Sequence, residues 1–66
     1  MLQSILLDKR KYTLPQAIKW IEDNNYKFLK VDWTGNYYRF RQEEPDNNRR
    51  YITIDKGKGI KFIMNY

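Results

Sequence analysis

The chain has 66 residues, of which 41% are hydrophobic and 17% aromatic, and its formal net charge is +5 at pH 7. This length allows one domain, residues 1–66, and limits the core that folding can bury. Because the sequence contains neither cysteine nor histidine, it excludes disulfides, the usual zinc sites and a cysteine or histidine nucleophile. The positive charge favours anionic partners, nucleic acid first, although a basic balance also serves solubility alone.

The apolar runs of the chain are all short. None approaches the roughly 20 consecutive apolar residues of a membrane helix, and the N-terminus lacks the basic-then-apolar pattern of a secretory signal. We therefore expect an intracellular protein with no membrane partner and no secretion signal of its own.

The first two elements are predicted to be a strand and a helix. The strand covers residues 2–7 and ends at a charged turn over residues 8–11. The helix covers residues 13–25, where apolar side chains recur at helical spacing. These side chains are Leu14, Ala17, Ile18 and Ile21.

The ends of this helix have recognisable signals. Thr13 and Gln16 have the spacing of a capping box, in which each residue satisfies a backbone amide near the other. Pro15 lies in the first turn, where its missing amide hydrogen has no helical partner to lose. Asn25 favours a stop, because asparagine tolerates the left-handed conformation that closes many helices.

After the helix, the hydrophobic pattern changes from helical spacing to alternation. It predicts four further strands, over residues 28–33, 37–42, 50–55 and 60–64. Turns over residues 34–36 and 56–59 contain glycine or asparagine, and the polar loop 43–48 is the best candidate for local mobility. The fold class is therefore α+β, in the chain order strand, helix, strand, strand, strand, strand.

We expect the helix to cover one face of a small, mainly antiparallel sheet and to leave the opposite face in water. The predicted core consists of the apolar residues that alternation and helical spacing point into the space between the helix and the sheet. They are Ile5, Leu7, Leu14, Ile18, Ile21, Tyr38, Phe40, Ile52, Ile54, Ile60 and Phe62.

The strand over residues 37–42 supplies the main candidate for function. Alternation points Tyr38 and Phe40 one way and Tyr37, Arg39 and Arg41 the other. The second set combines a ring that can stack on bases with cations that can bind phosphates. With neighbouring strands, the candidate nucleic-acid-binding residues are Tyr37, Arg39, Arg41, Tyr51, Thr53 and Lys61. The alternative is that these residue types merely suit an exposed strand.

Other motifs favour structural readings. The basic turns over residues 8–11 and 56–59 are typical of solvated turns, and the second lacks the spacing of a nucleotide-binding loop. The carboxylates that follow the 8–11 turn are predicted at solvated positions. A domain with one helix and one sheet also has little room for an enzyme-sized pocket. We expect no catalysis, no metal and no cofactor. Trp20 and Trp33 are predicted at the edge of the core, with a protein-interface anchor as the alternative.

Motifs along most of the chain carry a family resemblance. They are Leu7-Asp8-Lys9, Tyr12-Thr13, Ala17 with Trp20-Ile21, Tyr26-Lys27, Lys30-Val31-Asp32, Asn36-Tyr37-Tyr38-Arg39-Phe40-Arg41-Gln42 and Gly57-Lys58-Gly59-Ile60-Lys61. This succession resembles a short domain of tailed-phage and other virus-encoded proteins. That pattern reads Phe-Asp-Lys, Trp-Thr, Ala-x-x-Trp-Leu, Gly-Tyr-Lys, Asn-Tyr-x-Arg-Phe-Arg-Gln and Gly-x-Gly-Ile-Lys. Here Tyr12 replaces the usual Trp, and Asn25 stands where the family tends to have Gly.

The resemblance implies a viral setting, in the host cytoplasm or on a virion, alone or attached to larger virion or head-maturation proteins. It brings no catalytic residue or cofactor with it. We therefore expect a small, basic, non-enzymatic binding module that contacts nucleic acid. The alternative is a protein-interaction or virion structural module that binds a viral or host protein, by sheet-edge pairing or as an inhibitor. The chain would be a monomer or a weak homodimer, with the apolar end 63–66 as a candidate edge.

Overall fold

The computed structural model describes residues 1–44 and 46–66. These residues contain one helix and five strands, in the predicted chain order. Their bounds are β1 Leu2–Asp8, α1 Leu14–Asp23, β2 Lys30–Thr34, β3 Tyr37–Arg41, β4 Tyr51–Gly57 and β5 Ile60–Asn65. The α+β class is therefore confirmed.

The strands form one antiparallel sheet whose spatial order, β2-β3-β1-β5-β4, differs from their order along the chain. The N-terminal strand β1 lies at the centre, between β3 and β5. The final strand β5 lies between β1 and β4, so the candidate edge at residues 63–66 is not an edge of the sheet. The edges are β2 and β4.

Both ends of α1 follow the local signals in the sequence. The Thr13 hydroxyl accepts a hydrogen bond from the Gln16 amide at 3.3 Å, and the Thr13 amide donates to the Gln16 side chain at 2.8 Å. At the other end Asn25 has a φ of 63°. The amides of Asn25 and Tyr26 donate to the carbonyls of Glu22 and Ile21, each at 3.0 Å, which is the Schellman ending.

The core lies between α1 and the face of the sheet that carries Phe40. Its buried apolar residues are Ile5, Leu7, Ala17, Ile21, Tyr38, Phe40 and Ile60. Leu14, Ile18 and Phe62 are partly buried against this cluster. Phe28 packs edge-on against Phe40, with ring centroids 5.1 Å apart. Most of the predicted core is therefore found where the periodicity placed it.

The prediction that Ile52 and Ile54 on β4 belong to the core is wrong, because they are 46% and 40% exposed. Their cross-strand partners Met64 and Phe62 confirm that they point to the helix side of the sheet. A helix is about 10 Å across and neighbouring strands lie about 4.8 Å apart, so one helix covers roughly three strands. Strand β4 lies beyond that reach.

Some predicted boundaries shift by one or two residues. Strand β2 begins at Lys30 and not at residue 28, because Phe28 turns onto the core before pairing begins. Strand β4 extends to Gly57, two residues beyond its predicted end, through an irregularity between Asp55 and Gly57. Within the predicted mobile loop 43–48, Pro45 lies outside the described residues.

Candidate nucleic-acid interface

The face of the sheet opposite α1, here called the open face, carries all the candidate residues. Directly opposed residues of paired strands point to the same side of a sheet, so the register settles their placement. One row of pairs runs across the whole sheet: Asp32, Arg39, Leu6, Lys61 and Asp55. With the adjacent rows, the open face holds Tyr37, Arg39, Arg41, Tyr51, Thr53 and Lys61.

The centre of the open face holds an aromatic ring and two cations, one of which contacts the ring. The Lys61 ammonium lies 5.1 Å from the centroid of the Tyr37 ring, although β1 separates their strands. Arg39 donates from Nε to the Ser4 hydroxyl at 3.2 Å, across the β1–β3 pair. Among the described residues, neither Arg39 nor Lys61 takes part in an ion pair. Neither positive charge is therefore neutralised within an ion pair in this part of the chain.

Arg41 is held differently. Its guanidinium donates to Asp32 at 2.8 Å, and both side chains are largely shielded, at 20% and 25% exposed. The expectation of a solvated Asp32 is therefore wrong, because Asp32 lies on β2 directly beside β3 and forms an ion pair with Arg41. Lys30 also approaches Asp32, at 3.5 Å. The positive charge of Arg41 is largely balanced within the sheet, so Arg41 presents less uncompensated charge on the open face than Arg39.

Tyr51 and Thr53 lie on the same face but apart from this centre. Strand β4 is three strand spacings from β3, or about 14 Å. The Tyr51 hydroxyl accepts a hydrogen bond from the amide of Asp46 and donates to its carbonyl, both at 2.9 Å. The Tyr51 ring is therefore held beside the loop that precedes β4, and a ligand touching both groups must extend across the sheet.

The two tryptophans lie in different surroundings. Trp20 is partly buried and stacks on Tyr26, with centroids 6.0 Å apart, as predicted for a core-edge residue. Trp33 is 63% exposed and lies edge-on against Tyr38, so the core-edge prediction for Trp33 is wrong. The Lys9 ammonium stands 4.8 Å from the centroid of its ring. Trp33 is exposed because it lies on the edge strand β2, beyond the cover of α1.

A cleft of about 320 Å³ opens at one end of the sheet, where we expected little room for a pocket. It lies between the turn that follows β1 and the turn that joins β4 to β5. Tyr37 and Lys61 line it together with Arg10, Lys11 and Lys58. Sequence reasoning treated the two turns separately and assigned neither a function. Their basic residues were the available signal, but only strand pairing brings them together.

Asp8 anchors one wall of this cleft. Its carboxylate accepts hydrogen bonds from the Arg10 guanidinium at 3.1 and 2.8 Å and from the Arg10 amide at 2.8 Å. These bonds lower the pKa of Asp8 from 3.8 to about 2. The carboxylate is therefore ionised at neutral pH and orients Arg10 at the rim of the cleft.

The geometry defines a small α+β domain with a helix-covered face and an open polar face. The chain matches no family model, no curated protein and no solved structure. Among residues 1–44 and 46–66, no helix is long and apolar enough to cross a membrane.

Proposed function

We propose that this chain is a small, non-enzymatic binding module of viral origin that contacts single-stranded nucleic acid through the open face. The observation that carries the proposal is the group formed by Tyr37, Arg39 and Lys61, which places one ring and two cations without ion-pair partners among the described residues on the same face of the sheet. The viral origin follows the family resemblance of the motifs.

The chemistry of this group suits an unpaired strand. A base stacked on an aromatic side chain contributes about 1–3 kcal/mol without demanding a particular sequence. Lysine and arginine beside the ring bind the phosphates that flank the stacked base. Double-stranded nucleic acid keeps its base faces stacked internally, so the ring gives the open face a preference for single strands.

The test is fluorescence anisotropy of labelled single- and double-stranded oligonucleotides at several salt concentrations. We expect tighter binding of the single strand and a log affinity that falls linearly with log salt. R39A/R41A should weaken binding and reduce the salt slope by about 0.7 for each phosphate contact that is lost. Y37A should cost about 1–3 kcal/mol of binding free energy.

A matched control removes the same charge from the helix side of the molecule. Lys19 and Lys27 are both exposed and lie on or just after α1. K19A/K27A should therefore leave most of the affinity in place, and thermal melting should confirm that every variant is folded. Equal losses in R39A/R41A and the control would reduce the interaction to net charge, and no binding by the wild type near physiological salt would reject the proposal.

A second candidate function is self-association through the outer edge of β4. Arg50 and Tyr66 exchange both of their backbone hydrogen bonds, at 3.1 and 3.0 Å. Along an antiparallel pair, residues alternate between those that hydrogen-bond to the partner strand and those that do not. Since Arg50 bonds to Tyr66, the backbone groups of Tyr51, Thr53 and Asp55 point away from β5. The described residues place no strand on that side of β4. An edge with free backbone groups and exposed isoleucines is a template for another strand.

We propose a second copy of this chain as the occupant of that edge, because the strand is self-complementary. Antiparallel pairing about Thr53 places Ile52 opposite Ile54 of the copy. Both side chains lie on the helix side of the sheet, where the pairing removes them from water. The same register sets Arg50 opposite Lys56, a like-charge pair that limits affinity. The other edge is less suitable, because β2 carries Lys30 and Asp32. The result is a weak homodimer.

Light scattering over a range of protein concentrations tests this pairing. T53P removes an outward amide and should abolish the dimer while keeping the β4–β5 pairing. I54K should do the same, whereas L29K, which also replaces an exposed apolar residue by lysine, should not. A wild-type protein that stays monomeric at high concentration would reject the dimer.

A further inference from the structure

The two basic turns that the sequence separates by about 50 residues lie against each other at the end of the sheet. The Asp8 amide donates to the Gly59 carbonyl at 2.8 Å, and the Tyr12 hydroxyl donates to the Lys58 carbonyl at 3.2 Å. A Cβ atom at Gly59 would stand 2.8 Å from the Lys11 side chain. Gly59 also has a φ of +81°, which other residues rarely adopt, and the added Cβ would stand 3.1 Å from the Cβ atom of Asp8, so this position favours glycine.

The cleft between these turns has a clear charge preference. Four cationic and two acidic residues line it, which leaves an excess of two positive charges. Asp8 balances Arg10 through its hydrogen bonds. Among the described residues, Lys11, Lys58 and Lys61 take part in no ion pair. Three lysines without ion-pair partners among these residues therefore line one concave site, and their positive charges favour an anion there.

The cleft is continuous with the open face. Lys61 and Tyr37 line it, and the same two residues form the centre of the proposed interface. A strand whose base stacks on Tyr37 therefore has a neighbouring phosphate within reach of the cleft, since the ring contributes to both. Lysine binds phosphate as a compact point charge, so three lysines suit a phosphate oxygen cluster.

We propose that the cleft bounded by Lys11, Lys58 and Lys61 is a phosphate-binding site, and that it holds a phosphate of the strand bound on the open face. This use of the site rests on the proposed function. The cleft recognises the phosphate group itself, which a nucleic-acid strand and free inorganic phosphate or pyrophosphate share.

The test follows the backbone amide signals of Gly57, Lys58 and Gly59 by nuclear magnetic resonance. Labelled protein is titrated with a single-stranded oligothymidylate and, separately, with pyrophosphate, against sodium chloride of the same ionic strength. We expect saturable shifts at these amides with the oligonucleotide. In anisotropy, K11Q/K58Q should lower the slope of log affinity against log salt by about 1.4, or about 0.7 per lost contact. K19Q/K27Q, which removes the same charge, should leave the slope unchanged.

The outcomes separate this site from the proposed function. In one outcome, the oligonucleotide binds and shifts the amide signals of Tyr37 and Arg39 while those of Gly57 to Gly59 stay unchanged. If K11Q/K58Q then also has the wild-type slope of log affinity against log salt, the phosphate site is rejected and the open face stands. If no oligonucleotide binds but pyrophosphate shifts the cleft amides saturably, the proposed function fails and a site for free phosphate anions stands. If the oligonucleotide does not bind in anisotropy and neither ligand shifts these amides beyond the chloride control, both proposals fail.

Discussion

The two faces of the sheet are built from alternate residues of the same strands, yet they have different chemistry. On the covered face Ile5, Leu7 and Phe40 are fully buried beneath α1. On the open face their neighbours Leu6, Arg39 and Lys61 are partly accessible. Because one helix supplies the whole cover, apolar packing stabilises one side and the other side is free to carry charged and aromatic groups.

The helix does not cover the whole of its own side of the sheet. Ile54 points to the same side as Phe62 but is 40% exposed. Facing the helix side is therefore insufficient for burial, since a single helix covers only the strands beneath it. Lys56 extends over Phe62, with its ammonium 5.3 Å from the ring centroid, so a lysine occupies part of the surface that a wider layer of helices would cover.

Truncating one side chain on each face should give the largest difference in the free energy of unfolding. Phe40→Ala should lower the free energy of unfolding by about 3–5 kcal/mol, because it empties a fully buried site in the core. Leu6→Ala, on the open face of the adjacent strand, should cost about 1–2 kcal/mol, because Leu6 is only partly buried. Urea denaturation measures both. Equal losses would contradict the division of the sheet into a covered and an open face.

The same substitution at two isoleucines tests how far the helix covers the sheet. Ile5→Ala should cost about 2–5 kcal/mol, whereas Ile54→Ala should cost about 1 kcal/mol because water already reaches that side chain. The measurement should use dilute protein, below the concentration at which any β4 pairing occurs. A loss at Ile54 as large as that at Ile5 would show that β4 is covered in solution.

The smallest expected effect concerns the buried charge at the end of the open face. The pKa of Asp8 is about 2 in the folded chain, below its usual 3.8, because Arg10 donates to the carboxylate. A lowered folded-state pKa stabilises the fold above the usual pKa, and this stabilisation is lost as pH falls through the folded-state value. Thermal melting should therefore show D8N less stable than wild type at pH 6, with the gap closing between about pH 4 and pH 2.

A control variant tests the stated cause of that behaviour. R10Q removes the guanidinium and keeps the carboxylate, so the acid limb of its melting curve should lie closer to that of D8N than to that of the wild type. A gap between D8N and wild type that stays constant down to pH 2 would assign the stability of Asp8 to packing instead of charge.

Much of the secondary structure follows from local patterns. The capping box at Thr13 and Gln16 and the left-handed Asn25 are present as predicted, because both depend on residues within one helical turn. The candidate residues lie together on the open face because alternation is a property of each strand. Whether Arg41 is available could not be predicted, since Asp32 reaches it only through the β2–β3 register.

Local patterns in the sequence are sufficient to predict the elements, their chain order and the face to which each strand residue points. These depend on backbone geometry over a few residues. Three features emerge only in the folded chain: β1 is central, β4 lies beyond the helix and two basic turns form one cleft. Strand order and cover depend on contacts between residues far apart in the chain, and local periodicity carries no information about which distant strand becomes a neighbour.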